Sequence, residues 1–154
     1  MNEDKNQAVP SAKLGVRVVK PHQFDHNTPQ TPGMQRMAAV SKALTGAEGL
    51  WAGHTVVAPG VSSAVHHHGE LETVIYVVSG NGLMRWGDAL EFEQTVEPGD
   101  FIFVPPYVPH QEVNPSPDTP SVWVVVRNSQ EPVVINLEPL AIGQQAANDA
   151  THKF

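Results

Sequence analysis

The sequence has 154 residues, with 9 Lys and Arg against 16 Asp and Glu, and a formal net charge of −7 with neutral histidines. This length suits a single domain with its own core. An acidic chain without a basic cluster argues against a nucleic-acid partner. The sequence also contains no run of about 18 apolar residues, which is the length that a membrane-spanning helix needs. Cysteine is absent, which excludes disulfides, thiolate metal sites and cysteine nucleophiles. Together with the polar N-terminus, this composition predicts a cytoplasmic protein that binds a small molecule.

The elements expected along the chain are short strands. Fourteen prolines and twelve glycines interrupt the sequence and leave little room for long helices. Segments rich in Val, Ile, Thr and aromatic residues lie between these breaks and predict an all-β sandwich or barrel. The predicted strands are Val16–Val19, His54–Val57, Thr73–Val78, Leu83–Trp86, Phe101–Val104, Val122–Val126 and Val133–Ile135.

Two parts of the chain differ from this pattern. The stretch from Met34 to Leu44 has helical spacing of Met34, Met37 and Ala38, but flanking glycines and Val40 allow a strand equally well. The polar segments 1–12 and 141–154 are interpreted as tails. Residues 13–140 are therefore expected to form the single folded domain.

Three consecutive histidines near the middle of the chain, His66, His67 and His68, carry the main chemical signal. In an extended segment alternate side chains share a face, so His66 and His68 project together while His67 points away. Neutral imidazole is a good ligand for divalent transition metals. The pair therefore predicts part of a metal site.

A third ligand is available further along the chain. The predicted strand Phe101–Val104 runs into a proline-rich turn, Pro105 to Pro109, which is followed by His110. We expect His66, His68 and His110 to converge on one metal ion.

At this point the sequence resembles the cupin superfamily. The first motif of that family runs Gly, five residues, His-x-His, three or four residues, Glu, six residues, Gly. Here Gly60, His66 and His68 fit it and are followed by an acidic stretch and Gly80. The resemblance implies a double-stranded β-helix, which is a jelly-roll barrel with the metal inside its mouth.

The second motif of the family is matched as well. It runs Gly, five residues, Pro-x-Gly, two residues, His, three residues, Asn. Gly99, Pro105, His110 and Asn114 occupy its positions, and Tyr107 stands where the family has its second glycine. Within such a barrel the resemblance also implies a homodimer.

The glutamate ligand that the resemblance implies presents a problem of register. Counting forward from His68 selects Glu72, whereas counting back from Gly80 selects Thr73. A shift of one residue moves a side chain to the other face of a strand, so Glu72 reaches the metal only if a bulge or loop restores the register. We take Glu72 as the fourth ligand and keep Thr73 and His54 as alternatives.

The resemblance implies a metal-dependent enzyme that acts on a small oxygen-rich or aromatic molecule, as a dioxygenase or a polyketide-cyclase-like protein. Lyase and isomerase chemistry stay open, with one Zn, Fe, Mn or Ni ion as cofactor. Tyr107 and Glu72 are the nearest candidates for catalytic acid or base. Only Arg85 and Arg127 lie near the motifs, which disfavours a phosphate pocket. The alternative function is a non-catalytic sensor or ligand-binding cupin with a structural metal.

Overall fold

A computed structural model of the chain describes residues 15–130 and 133–138. Within them lie two five-stranded antiparallel sheets, in the orders β1-β2-β9-β4-β7 and β10-β3-β8-β5-β6. The strands are β1 (Met34–Val40), β2 (Trp51–Val57), β3 (His66–His67), β4 (Thr73–Ser79), β5 (Gly82–Trp86), β6 (Phe92–Val96), β7 (Phe101–Val104), β8 (His110–Val113), β9 (Ser121–Arg127) and β10 (Ile135–Asn136). The predicted all-β jelly-roll fold is confirmed.

The core lies on the inner faces of the two sheets. Strands β2 and β9 alternate strictly between buried and half-buried residues, so every second side chain enters the core. The apolar part of this core consists of Ala38, Trp51, Ile75, Val77, Met84, Val96, Val104, Trp123 and Val125. Gly82 makes room for the ring of Trp123, because a Cβ at position 82 would lie 2.5 Å from Trp123 Cζ2.

The segment with ambiguous spacing contains both kinds of structure. Met34–Val40 is strand β1, whose side chains Met34, Arg36 and Ala38 face inward. A single helical turn, α1 (Lys42–Thr45), follows, and the Ser41 side chain accepts a hydrogen bond from the Leu44 amide at its start. Pairing of β1 with β2 therefore determines the first part, and a local cap determines the second.

Some sequence predictions were wrong at the ends of the domain. Val16–Val19 is not a strand: Val16 is 92% exposed and Val18 69%, so neither contributes to the core. The last predicted strand is shifted and forms over Ile135–Asn136. The predicted tails 1–12 and 141–154 lie outside the described residues. A short 3-10 turn, Pro21–Gln23, is the remaining helical segment described, and no described helix is long and apolar enough to cross a membrane.

Candidate metal centre

Three histidines meet on the inner face of the second sheet. His66 on β3 and His110 on β8 are direct partners across the two strands, and His68 follows two residues after His66. His66 and His110 are fully buried, and His68 is 4% exposed. One nitrogen of each ring lies within 4.8 Å of those of the other two, so the structure brings together the three histidines expected from the sequence.

The backbone fixes which nitrogen of each ring faces the cluster. His66 Nδ1 lies 2.9 Å from the carbonyl oxygen of Ala64, and His110 Nδ1 lies 2.9 Å from that of Val108. His68 makes the same kind of contact with Val133, at 2.8 Å. A carbonyl can only accept, so each Nδ1 carries the proton and each Nε2 keeps a free lone pair.

Burial favours the neutral form of two of these rings, those of His66 and His68. Desolvation lowers the pKa of His66 to about 4. It also lowers the pKa of His68 to about 2, assisted by the positive charge of Arg127. The Nε2 atoms of His66 and His110 are buried without a hydrogen-bond partner in the described structure. Neutral rings with unpaired, convergent Nε2 atoms are the state that a metal ion requires.

Sequence reasoning missed a buried carboxylate beside these rings. Glu112 Oε2 lies 3.5 Å from His66 Nε2, and Glu112 Oε1 lies 3.5 Å from His110 Nε2. The hydroxyl of Ser63 lies 3.0 Å from Oε2. Burial alone would raise the pKa of Glu112, but the His66 and His110 rings and Arg36 hold it well below its usual range. Glu112 therefore offers a carboxylate at two of the three ligand nitrogens.

Alternation along β8 would have identified Glu112. His110 and Glu112 are two residues apart on one strand, and both are buried. The same rule had paired His66 with His68. Asn114, two residues further, is also buried, and its side-chain amide donates to the carbonyls of Val57 and Thr119. The asparagine of the second motif thus anchors the end of β8.

Glu72, the glutamate predicted as a ligand, does not join the cluster. The Glu72 side chain is exposed, whereas the next residue, Thr73, is fully buried and begins β4. The register shift that β4 shows against β9, between Val77 and Ser79, lies beyond Thr73 and does not turn Glu72 inward. The structure therefore places Glu72 outside the histidine cluster, and the inward position belongs to Thr73.

Two further candidates also lie away from the histidines. His54 is half-buried on β2, and its ring packs 5.9 Å from that of Phe24, on the face opposite the core. Tyr107 is 63% exposed, and its ring lies 6.0 Å from that of His67 on the outside. The structure therefore places the Tyr107 side chain outside the histidine cluster. Its backbone has φ +62°, the left-handed conformation for which the family uses glycine.

Two arginines are buried in the same interior. Arg36 on β1 and Arg127 at the end of β9 are each 1% exposed. Arg127 is the inward residue of a strand that alternates strictly, so its position follows from its register with Trp51 and Thr73. Sequence reasoning noted Arg127 but assigned it no role, because isolated basic residues are usually exposed.

A cavity of about 490 Å³ extends to the metal-binding cluster at His110. Its walls come mainly from β5, β6 and β7 and the turn before β8. Apolar residues that line it include Met84, Trp86, Val96, Ile102, Val104 and Val108. A small organic molecule can therefore approach the histidines through largely apolar surroundings.

Comparison with known proteins places this fold in a family. The family described as "Cupin domain" matches residues 53–127, which include all three histidines and Glu112. The chain is also 28% identical over 95 residues to gentisate 1,2 dioxygenase 1 from Aquipseudomonas alcaligenes. That match covers 62% of this chain but only 24% of the dioxygenase, so the chain spans about a quarter of that relative.

Solved structures show the same architecture. The polyketide cyclase RemF from Streptomyces resistomycificus superposes with a TM-score of 0.64 at 24% identity, over 88% of this chain and 94% of RemF. A recombinant oxalate oxidase in complex with glycolate gives a TM-score of 0.65 at 20% identity, over 87% of this chain and 75% of the oxidase. Identities this low establish the fold alone. The family match over residues 53–127 and the two sequence motifs support a cupin.

Proposed function

We propose that this chain is a metal-dependent cupin enzyme that acts on a small oxygen-rich or aromatic molecule, with dioxygenase or polyketide-cyclase chemistry. His66, His68 and His110 hold one divalent Zn, Fe, Mn or Ni ion, and Glu112 is its fourth ligand. The observation that carries the proposal is the convergence of three imidazoles whose Nδ1 atoms are held by backbone carbonyls. A bound ion would supply Lewis acidity or oxygen chemistry at this point.

Backbone carbonyls and a serine of the chain itself orient the proposed metal ligands. The carbonyls of Ala64, Val108 and Val133 fix the ring orientations, so little side-chain freedom remains to be lost when an ion binds. Ser63 orients Glu112, which is the only fully buried acidic side chain among the described residues. The carboxylate therefore partly neutralises the charge of the ion.

The cavity supports an enzyme over a closed structural site. Its volume accommodates a compact organic molecule, and it ends at His110. The apolar walls exclude water from the reacting groups, which strengthens electrostatic interactions in the interior. A purely structural metal would have no need of an access path of this size.

The first test measures metal in protein purified without added metal. We expect close to one equivalent of a transition metal in the native chain and in His67→Ala, and loss of that metal in His110→Ala. His67 is the matched control, because it belongs to the same triplet but lies on the opposite face. Equal metal content in the two variants would contradict the proposed ligand set.

Turnover then separates an enzyme from a sensor. Native, metal-stripped and reloaded protein would be assayed against diketones, catechols and aromatic polyketides. The proposal expects turnover that is lost on stripping and restored by one ion. Ligand binding that is unchanged by stripping, without turnover of any of these classes, would favour a sensor or carrier with a structural metal.

The quaternary state and location are parts of the same proposal. The outer face of β4 and β7 exposes Tyr76, Phe101 and Phe103, and the rings of Tyr76 and Phe101 pack together at 4.9 Å. This apolar face supports a homodimer formed through the first sheet. The cysteine-free composition supports a cytoplasmic setting.

A further inference from the structure

Arg127 is a buried cation without a hydrogen-bond partner. Its Nε, Nη1 and Nη2 atoms are all buried, and none has a partner in the described structure. The guanidinium lies over the ring of Trp51, 4.8 Å from the centroid. A buried charge left without hydrogen bonds is strongly unfavourable, so such groups are normally paired. Arg127 therefore has hydrogen-bonding capacity that no described residue uses.

Arg36 provides the internal contrast. It is buried to the same extent, but its Nη1 donates to the carbonyl of Pro29 at 2.8 Å, and its Nη2 lies 3.3 Å from the hydroxyl of Thr31. Arg36 is therefore held by groups of the chain itself. The terminal nitrogens of Arg36 thus have partners within the chain, whereas the described structure offers none to any of the three side-chain nitrogens of Arg127.

The register connects Arg127 with the cavity. Trp51, Arg127, Thr73 and Val104 are successive partners across β2, β9, β4 and β7, and all four side chains are buried. Val104 lines the cavity, and adjacent strands lie about 4.8 Å apart. The hydroxyl of Thr73 is also buried without a partner. Arg127 lies close enough to His68 to lower the pKa of that ring, and Thr73 is its partner across β9 and β4, so two neighbouring inward residues present unpaired donors.

The interior has an excess of positive charge. Besides the histidines, the buried charged side chains of the described residues are Arg36, Arg127 and Glu112, which give a net charge of +1. A divalent ion at the histidines would raise this to +3. An anionic ligand is therefore favoured over a neutral one. The planar fork of a guanidinium matches the two oxygens of a carboxylate.

We propose, on the basis of the function above, that Arg127 and Thr73 form a subsite for the carboxylate of a small organic acid. A hydroxyl or carbonyl oxygen of the same molecule then faces His66, His68 and His110. The substrate class is thereby narrowed from an oxygen-rich molecule to a hydroxy or keto acid.

The experiment compares acids with their neutral amides. Glycolate and 2-hydroxybenzoate, each beside its amide, are titrated by calorimetry into the metal-free and the zinc-loaded full chain. We expect both forms of the protein to bind the acids more tightly than the amides. Arg127→Met should weaken binding of the acids by about 10- to 100-fold and leave the amides unchanged, since a charged hydrogen-bonded pair is lost. Arg127→Lys should restore part of that loss.

Control variants separate binding from structural support. Arg85 is partly exposed beside Glu93, so Arg85→Met should bind the acids as the native chain does. Without ligand, Arg127→Met should melt at the same temperature as the native chain or higher, because methionine replaces an unpaired buried charge at similar volume. A large loss of stability would indicate a structural arginine and overturn the inference. Thr73→Val should weaken acid binding by a smaller factor.

The two proposals can fail separately. If the native chain holds metal while Arg127→Met binds the acids like the native chain, the subsite is refuted and the metal centre stands. If no metal binds, the proposed function fails, while an Arg127-dependent preference for acids in metal-free protein would still establish the subsite. Inorganic phosphate that binds as tightly as the acids, in an Arg127-dependent manner, would overturn the assignment to carboxylates.

Discussion

Strands β4 and β8 both contribute side chains to the barrel interior, yet they place their glutamates on opposite sides. On β8 the order is His110, Gln111, Glu112, and the two buried residues are the histidine and the glutamate. At the start of β4, Glu72 is exposed and Thr73 is buried. The phase of each strand at its first residue decides which polar group the interior receives.

The first motif implies that the buried glutamate comes from the start of β4. In this chain the buried glutamate comes from β8. The buried residue at the start of β4 is the neutral Thr73, and the buried carboxylate, Glu112, comes instead from the second motif. The neutral Thr73 also leaves the neighbouring Arg127 without a carboxylate partner on β4. The phase of β4 thus accounts for the open arginine, and the alternation along β8 accounts for the Glu112 contact.

The largest expected effect is on metal affinity, when each of the two glutamates is replaced by glutamine in turn. Glu112→Gln should lower metal affinity by more than the roughly 100-fold that follows loss of an outer-shell partner, because a ligand is removed. Glu72→Gln should leave metal affinity unchanged. Competition with a chelator of known affinity measures both. Equal losses in the two variants, or loss only in Glu72→Gln, would reverse the assignment drawn from β4 and β8.

Acid should destabilise the metal-free chain through His66 and His68. The pKa of His66 is about 4 in the folded chain, against 6.5 when unfolded. Between these values the unfolded state binds a proton that the folded state does not, so stability is lost as the pH falls from 6.5 to 4. The loss from His66 is about 3 kcal/mol. His68, with a pKa of about 2, extends the loss to lower pH.

Denaturant unfolding of metal-free protein at pH 7, 5.5 and 4.5 measures this effect. His66→Gln should flatten the profile, because the titrating ring is removed, whereas His67→Gln should leave its slope unchanged. A native profile that is flat from pH 7 to 4.5 would mean that the histidines are not held neutral. The comparison also locates the destabilising titration on the inner face rather than on the triplet as a whole.

Much of this arrangement could be predicted from the sequence, because alternation is a local property. The convergence of His66, His68 and His110 follows from the spacing of the two motifs and from the alternation of side chains between the two faces of a strand. The phase of β4 could not be obtained in this way, since it depends on pairing with β7 and β9, which are distant in sequence. Val16–Val19 has β-forming residues but no neighbour that pairs with it, so propensity alone gave a false strand.

The outer faces of the two strands also differ. On β4 the outward residues include the exposed Val74 and Tyr76, opposite Phe103 and Phe101 of β7. On β8 the outward Gln111 is half-buried and donates to the carbonyl of Ser63. We therefore expect copies of the chain to associate through β4 and β7.

Light scattering tests this association. The native chain should have twice the monomer mass of 16.7 kDa, and Phe101→Asp should shift the mass toward the monomer. Gln111→Ala on β8 should stay dimeric. A native chain that scatters as a monomer at micromolar concentration would contradict the proposed dimer, and a dimer that persists in Phe101→Asp would move the interface to another face.

The smallest effect is expected at the turns before the two strands. Gly69, before β4, has φ +58°, and Tyr107, before β8, has φ +62°. The backbone amide of Tyr107 donates to the carbonyl of Gly69 at 2.8 Å, so the two turns are joined.

A left-handed conformation costs a non-glycine residue about 1–2 kcal/mol. Tyr107→Gly relieves this strain but adds freedom to the unfolded chain, so stability should change by less than about 1 kcal/mol. Because the tyrosine ring is exposed, turnover should also persist, and a loss of turnover at full metal content would return Tyr107 to the catalytic groups.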